Sequence, residues 1–122
     1  MITGCLVAES LRPGAVLETV SLRTTRIWRG AAMTATDAQP TQWTLFNFEA
    51  DDADSDRLAE ELAANLNPHG GWYCDLTTDS EKFVVFADRI FRYPRGDQAG
   101  HAEAAAYGRS VGVPEPQLDW GD

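Results

Sequence analysis

Residues 70–95 carry the clearest pattern of apolar and polar positions in this chain, and it predicts three short strands. Apolar residues first alternate with polar ones, which is the period of two of a half-buried strand. An unbroken apolar run follows and indicates a strand that is covered on both faces. A third extended run ends at Pro94, which has no N–H for a sheet ladder. The predicted strands cover residues 72–77, 83–86 and 89–93.

The connection between the second and third of these strands has two interpretations. Ala87 and Asp88 suit a two-residue hairpin turn, although alanine is a poor fit where the backbone needs a positive φ. The alternative is one continuous strand over residues 83–93, which would place Asp88 and Arg89 on opposite faces. We favour the hairpin.

The chain before this segment predicts three more strands and a helix. The extended stretches cover residues 2–9, 16–29 and 43–49. An acidic cluster at residues 51–56 begins the helix, where carboxylates are expected to act as N-caps and to complement the helix dipole. Leucines then recur every four residues and give the helix one apolar stripe. These leucines are Leu58, Leu62 and Leu66.

A second helix is predicted after the three central strands. It is rich in alanine, extends to about residue 111 and begins after Asp97, which we expect to cap it. The tripeptide Arg95-Gly96-Asp97 is therefore interpreted as a helix start and not as a recognition motif. Leu118 and Trp120 are expected to dock the tail on the body of the protein.

These elements predict a single α+β domain over residues 1–122. We expect a mostly antiparallel sheet of about five to six strands with both helices on one face. A ferredoxin-like arrangement is one specific version of this architecture, in which the N-terminal strand replaces a missing final strand. The length allows about two-thirds of the unfolded surface to be buried, so the domain needs no metal or disulfide to fold.

The charge balance excludes some classes of partner. A net charge of −9 argues against nucleic-acid binding, which depends on neutralising phosphates, and against anionic membranes. The apolar runs are too short to span a bilayer, and the first ten residues lack the basic segment of a signal peptide. We therefore predict a cytoplasmic protein. Arginine is strongly preferred over the single lysine, Lys82, which indicates a GC-rich bacterial source.

Cys5 and Cys74 lie in apolar strand patterns, and we interpret them as buried free thiols. A disulfide between them is the alternative, and it needs adjacent strands and an oxidising compartment. With His69 and His101 they are the possible metal ligands, but no pair has a metal-ligand spacing. We predict neither a metal nor another cofactor.

Five residues are candidates for a polar ligand pocket. His69 and Asp75 could form an acid–base pair, and the candidate arginines could bind a phosphate or carboxylate. The alternatives are a solvated turn for His69 and ion pairing for the arginines. The candidate ligand-binding residues are His69, Tyr73, Asp75, Arg89 and Arg92.

The tryptophans are candidates for an aromatic partner surface, although core packing explains most strand aromatics. The candidate interface residues are Trp28, Trp43 and Trp72. Arg26 shares a predicted strand face with Leu22 and Trp28, so a core position for that face would require a buried partner for its charge.

No catalytic constellation stands out, and we assign no catalytic residue. The sequence favours a non-catalytic domain that binds a protein partner or itself, with a homodimer formed by strand edges or sheet faces. A narrower version uses the acidic surface of residues 51–61 against a basic partner. The alternative function is a small enzyme or ligand-binding protein with the polar pocket described above.

Overall fold

A computed structural model describes residues 1–121. Six β-strands and two α-helices form in these residues, with short 3-10 turns beside them. The strands are β1 (Ile2–Val7), β2 (Arg23–Ala31), β3 (Gln42–Ala50), β4 (Cys74–Thr77), β5 (Glu81–Phe86) and β6 (Arg89–Pro94). The helices are α1 (Ser55–Asn65) and α2 (Gln98–Ser110). No helix within residues 1–121 is long and apolar enough to cross a membrane.

All six strands form one sheet in the order β2-β3-β1-β4-β5-β6, and each neighbouring pair is antiparallel. The predicted α+β fold on an antiparallel sheet is therefore confirmed. β1 lies in the middle, between β3 and β4, and α1 connects those two flanking strands. Gly4 makes close packing possible here, because a Cβ at that position would lie 2.6 Å from Cζ of Phe48 on β3.

The helices pack on opposite faces of the sheet, which corrects the prediction that both lie on one face. Successive residues of β5 point to opposite sides. Phe83 and Val85 join the core formed with α1, whereas Val84 and Phe86 join the core formed with α2. A strand that is apolar on both sides needs cover on both sides, so the ferredoxin-like version of the same-face arrangement does not describe this sheet.

The predicted hairpin after β5 is confirmed by the pairing of Phe86 with Arg89. Asp88 takes the positive φ, at 59°, and Ala87 avoids it. Aspartate tolerates this left-handed conformation better than most residues. The Asp88 N–H donates to the Ala63 carbonyl at 2.9 Å, so the turn is held against the end of α1.

The second strand is shorter than predicted, since β2 begins at Arg23 and not at residue 16. The preceding segment bonds to side chains of α1 instead of a neighbouring strand. The N–H groups of Glu18 and Thr19 donate to Glu61 Oε2 at 3.1 and 2.9 Å. A bulge between Thr24 and Arg26 then shifts the register of β2. The predicted face shared by Leu22, Arg26 and Trp28 is broken by this bulge.

The two helix starts differ from each other. The Asp97 carboxylate accepts from the N–H groups of Ala99 and Gly100 at 3.1 and 3.2 Å, which confirms its predicted role as N-cap. At α1 the Asp54 side chain makes no capping bond. The Asp52 carboxylate instead pairs with the N-terminal ammonium at 2.7 Å, so the predicted capping by the acidic cluster is not seen there.

Candidate functional site

The face of the sheet that packs against α2 is only partly covered by that helix. α2 and the tail pack on β5 and β6, while on β1–β3 the same face carries half-exposed and exposed side chains. We call this part of the sheet the open face. Its side chains follow from the strand registers: Cys5 and Val7 of β1, Arg26 and Trp28 of β2, and Trp43, Leu45 and Asn47 of β3.

A cleft of about 240 Å³ lies where the open face meets the C-terminal tail. Strands β1 and β3 contribute Cys5 and Trp43, and β4 contributes Asp75. The residues before β4 and the loop after β2 supply further walls. The remaining lining residues are Val7, Thr34, Gly71, Trp72, Tyr73, Pro116, Gln117 and Asp119.

Two buried glutamines hold the walls of this cleft together. Gln117 in the tail donates through Nε2 to Gln39 Oε1 and to the Thr34 carbonyl, both at 2.9 Å. Gln39 donates through its own Nε2 to the Gly70 carbonyl at 2.7 Å. The loop after β2, the turn before β4 and the tail are therefore linked by one polar network.

Asp75 is the carboxylate on the β4 side of the cleft. Its Oδ2 accepts from Lys82 Nζ at 2.6 Å, and Lys82 also donates to Thr77 Oγ1 at 2.8 Å. The lysine side chain is 3% exposed and that of Asp75 is 31% exposed. The pair therefore joins a buried cation to a carboxylate that reaches solvent.

Tyr73 packs between the cleft and the core under α2. Its ring lies 5.1 Å from the Trp120 ring and 5.9 Å from that of Phe86. Its hydroxyl donates to the Gln117 carbonyl. Burial raises the pKa of Tyr73 well above its ordinary value, and the negative charges of Asp75 and Asp119 raise it further. The phenol is therefore neutral and already engaged in a hydrogen bond.

Cys5 and Cys74 are both free, as predicted, but only Cys74 is buried and Cys5 is half-buried. They lie on neighbouring strands, but Cys5 belongs to the open face and Cys74 to the core with α1. Burial raises the pKa of both thiols, and the charge of Asp75 adds to this effect. Arg26 opposes the rise at Cys5. Neither thiol is therefore activated as a nucleophile.

The five predicted ligand-binding residues do not form one pocket. Tyr73 and Asp75 lie together in the cleft. His69 is exposed in the turn after α1 and does not line the cleft. Arg89 lies on the edge strand β6, with its guanidinium 4.8 Å from the Phe91 ring. Arg92 also lies on β6, on the α1 side of the sheet, because it pairs in register with Phe83.

Arg92 shows the ion pairing that was the alternative to anion binding. It donates to both carboxylate oxygens of Glu81 at 2.7 Å and to Asp56 at 2.8 Å. These hydrogen bonds lower the pKa of Glu81 and raise that of Arg92. Its charge is therefore matched by acids of this chain.

Two of the three candidate interface tryptophans lie at the cleft. Trp43 and Trp72 pack with ring centroids 5.3 Å apart. Trp28 lies on the edge strand and donates to Asn47 Oδ1 at 3.0 Å. Arg26 stacks over Trp28 at 5.0 Å and stays exposed, so it needs no buried partner.

Sequence reasoning missed several residues that build the cleft. Lys82 precedes the predicted strand of residues 83–86, and extending that strand by one residue places it on the α2 face with Val84. Gln39 and Gln117 lie in segments without periodicity and gave no signal. Asp119 lies between Leu118 and Trp120 of the predicted docked tail, and no pattern marks it as a cleft residue.

Comparison with protein-family models, with curated proteins and with solved structures finds no match for this chain. Within residues 1–121, no group of three or more His, Cys, Asp or Glu side chains comes together as a metal site. A functional assignment therefore rests on the geometry of the open face, the cleft and the sheet edges.

Proposed function

We propose that this chain is a non-catalytic binding domain that pairs with a second copy of itself through the edge strand β2. The observation that carries the proposal is the exposure of this strand. β2 contacts β3 on one side, forms the end of the sheet on the other, and has every residue but Gly30 exposed. An exposed strand edge offers free N–H and C=O groups to another strand. A cytoplasmic location and a bacterial source belong to the same proposal.

Apolar side chains on both faces of this edge support the proposal. Ile27 is 61% exposed on the α1 face, and Trp28 is 38% exposed on the open face. Met33, just beyond the strand, is 91% exposed. A second sheet that continues this one would cover apolar surface on both sides at once, which favours edge pairing over packing of one face.

The arginines of β2 fit self-pairing in a particular register. An antiparallel pair centred on Ile27 places Arg26 opposite Trp28 of the second copy, and the bulge before Arg26 shifts the pairing beyond it. No two arginines then face each other, so like charges do not oppose the pairing. Within one chain the Arg26 guanidinium already lies 5.0 Å from the Trp28 ring, and the same cation–π contact would recur between copies.

The strength of this association is limited by two features of β2. Charged side chains and bulges both weaken pairing at sheet edges. β2 carries three arginines and has a bulge between Thr24 and Arg26. We therefore expect a short paired region around Ile27 and a dissociation constant on the order of micromolar.

The non-catalytic part of the proposal is supported by the separation of candidate acid–base groups. His69 lies away from the cleft that Asp75 lines, and the Tyr73 hydroxyl is bonded to the Gln117 carbonyl. General acid–base catalysis needs such groups within hydrogen-bond reach of a shared substrate. The cleft lined by Tyr73 and Asp75 supports the ligand-binding part of the alternative function.

Light scattering on the purified protein tests the proposal. The unmodified chain should have the mass of a dimer well above the dissociation constant and approach the monomer on dilution. Ile27→Lys should be a monomer, because two lysines would face each other at the centre of the interface. Val16→Lys is the matched control: Val16 is also exposed, at 56%, but lies outside β2, and this variant should dimerise normally. A monomeric unmodified chain, or equal masses for both variants, would refute the proposal.

A further inference from the structure

We infer that the cleft between the open face and the tail binds a small organic cation with an ammonium or guanidinium head group. The inference does not depend on self-pairing through β2. It rests on the size of the cleft, on its hydrogen-bonding groups, and on the placement of aromatic and acidic side chains around it.

The size of the cleft limits its ligand to a head group. Its volume of about 240 Å³ corresponds to about eight water molecules at roughly 30 Å³ each. This is below the range of roughly 300–1,000 Å³ that is usual for drug-sized ligands. A trimethylammonium or guanidinium group with a short chain fits such a space.

Three side chains that line the cleft, Tyr73, Trp43 and Gln117, already use their donors inside the protein. The Tyr73 hydroxyl donates to the Gln117 carbonyl, and Trp43 Nε1 donates to the Pro40 carbonyl at 3.0 Å. Both bonds of Gln117 Nε2 go to the loop after β2. The carboxylates of Asp75 and Asp119 are acceptors only. The cleft therefore offers acceptors to a ligand that brings its own positive charge or donors.

The charge of the cleft favours a cation as well. Asp75 is balanced by Lys82, while Asp119 adds an exposed carboxylate at the tail. Both carboxylates lie close enough to raise the pKa of the Tyr73 phenol. Tyr73 and the Trp43–Trp72 pair add aromatic side chains, which attract cations through their ring quadrupoles. The net charge of −9 further raises the local concentration of cations.

Two readouts with choline as the probe test this inference. Choline should change the tryptophan fluorescence saturably and slow the labelling of Cys5, which lines the cleft. Its neutral isostere 3,3-dimethylbutanol should bind at least about tenfold more weakly, since it lacks the charge. Repeating the titration with Ile27→Lys separates this result from the pairing through β2, and the affinity should be unchanged.

Charge-removing variants locate the binding. Asp119→Asn should weaken choline binding about fivefold, as expected for the loss of one partly solvated charge within a few ångströms. Asp79→Asn removes the same charge from the exposed turn after β4 and should leave the affinity unchanged. The inference is wrong if choline and its neutral isostere bind alike, if no saturation occurs, if Cys5 is not protected, or if the two variants behave alike.

Discussion

The ammonium of Lys82 lies 2.6 Å from the carboxylate of Asp75, and the lysine side chain is buried whereas the aspartate reaches the cleft. This difference in burial determines which of the two side chains can lose its charged partner at the lower cost in stability. Asp75 can be solvated without the lysine. Lys82 has only Asp75 and Thr77 Oγ1 as its described bonding partners.

Asp75→Asn should therefore lower the free energy of unfolding by about 3 kcal/mol, the lower end of the range for a broken buried ion pair, because it leaves a buried ammonium without a counter-charge. Lys82→Met should cost clearly less, since it removes the buried charge and keeps most of the side-chain volume. Urea unfolding of both variants and of the double variant measures the difference. A larger loss for Lys82→Met than for Asp75→Asn would contradict this account.

Glu9 gives the fold a specific pH dependence. Burial raises the pKa of its carboxyl, but bonds from the Thr44 N–H at 2.6 Å and the Thr44 hydroxyl at 3.0 Å outweigh burial and lower the pKa overall. A lowered pKa in the folded state stabilises the protein above the ordinary glutamate pKa, and this stabilisation is lost as the pH falls through the lowered value.

Glu9→Gln should thus lower the free energy of unfolding at neutral pH by about 1.5–3 kcal/mol, the usual range for a hydrogen bond to a charged group. The difference from the unmodified chain should shrink as the pH falls through the lowered pKa of Glu9 and vanish below it, where both side chains are neutral. Glu60→Gln, on the exposed side of α1, is the control and should change little at either pH. A deficit for Glu9→Gln that is the same at both pH values would argue against the charge-dependent explanation.

Gly71 combines two constraints at the turn before β4. Its φ is +70°, and a Cβ would lie 2.5 Å from the Gly112 carbonyl oxygen. Gly14 has a similar φ of +83° with open space around it. Gly14→Ala should therefore cost about 1 kcal/mol, the penalty for a left-handed alanine, and Gly71→Ala at least about 2 kcal/mol more. Thermal unfolding compares the two variants. Equal losses of stability would show that the backbone at Gly112 shifts at little cost to accommodate the added Cβ.

The two thiols should differ in reactivity. Cys74 is fully buried and the pKa of its thiol is raised, so a thiol reagent should reach it only when the protein unfolds. Cys5 is half-buried at the cleft and should react slowly in the native protein. Labelling kinetics with the Cys5→Ser and Cys74→Ser variants assign the two phases. Fast native labelling of Cys74 would mean that the core under α1 opens readily.

Much of the fold could be predicted because local patterns decide it. The apolar run Phe83–Phe86 indicated cover on both faces, and that is what places α1 and α2 on opposite sides of the sheet. The prediction of both helices on one face is inconsistent with this apolar run, because a strand that is apolar on both sides needs cover on both sides. Asp97 could be identified as a cap because the bond it makes is local.

The cleft could not be predicted because its parts meet only through long-range contacts. Gln117 bonds with Gln39 and the Thr34 carbonyl, which lie far from it along the chain. The bulge in β2 reverses the faces of the residues before it, and nothing in the Thr24-Thr25 sequence marks it. His69 is near Asp75 in sequence, yet the turn at Gly70 and Gly71 directs the two side chains to different places.

Amide hydrogen exchange across β2, followed at two protein concentrations, tests most directly whether this strand pairs with a second copy. Well above a micromolar dissociation constant, at roughly 100 µM, the outward N–H groups around Ile27 should exchange slowly. They should exchange quickly after dilution and at both concentrations in Ile27→Lys. Fast exchange of these amides in the unmodified chain at both concentrations would contradict the account.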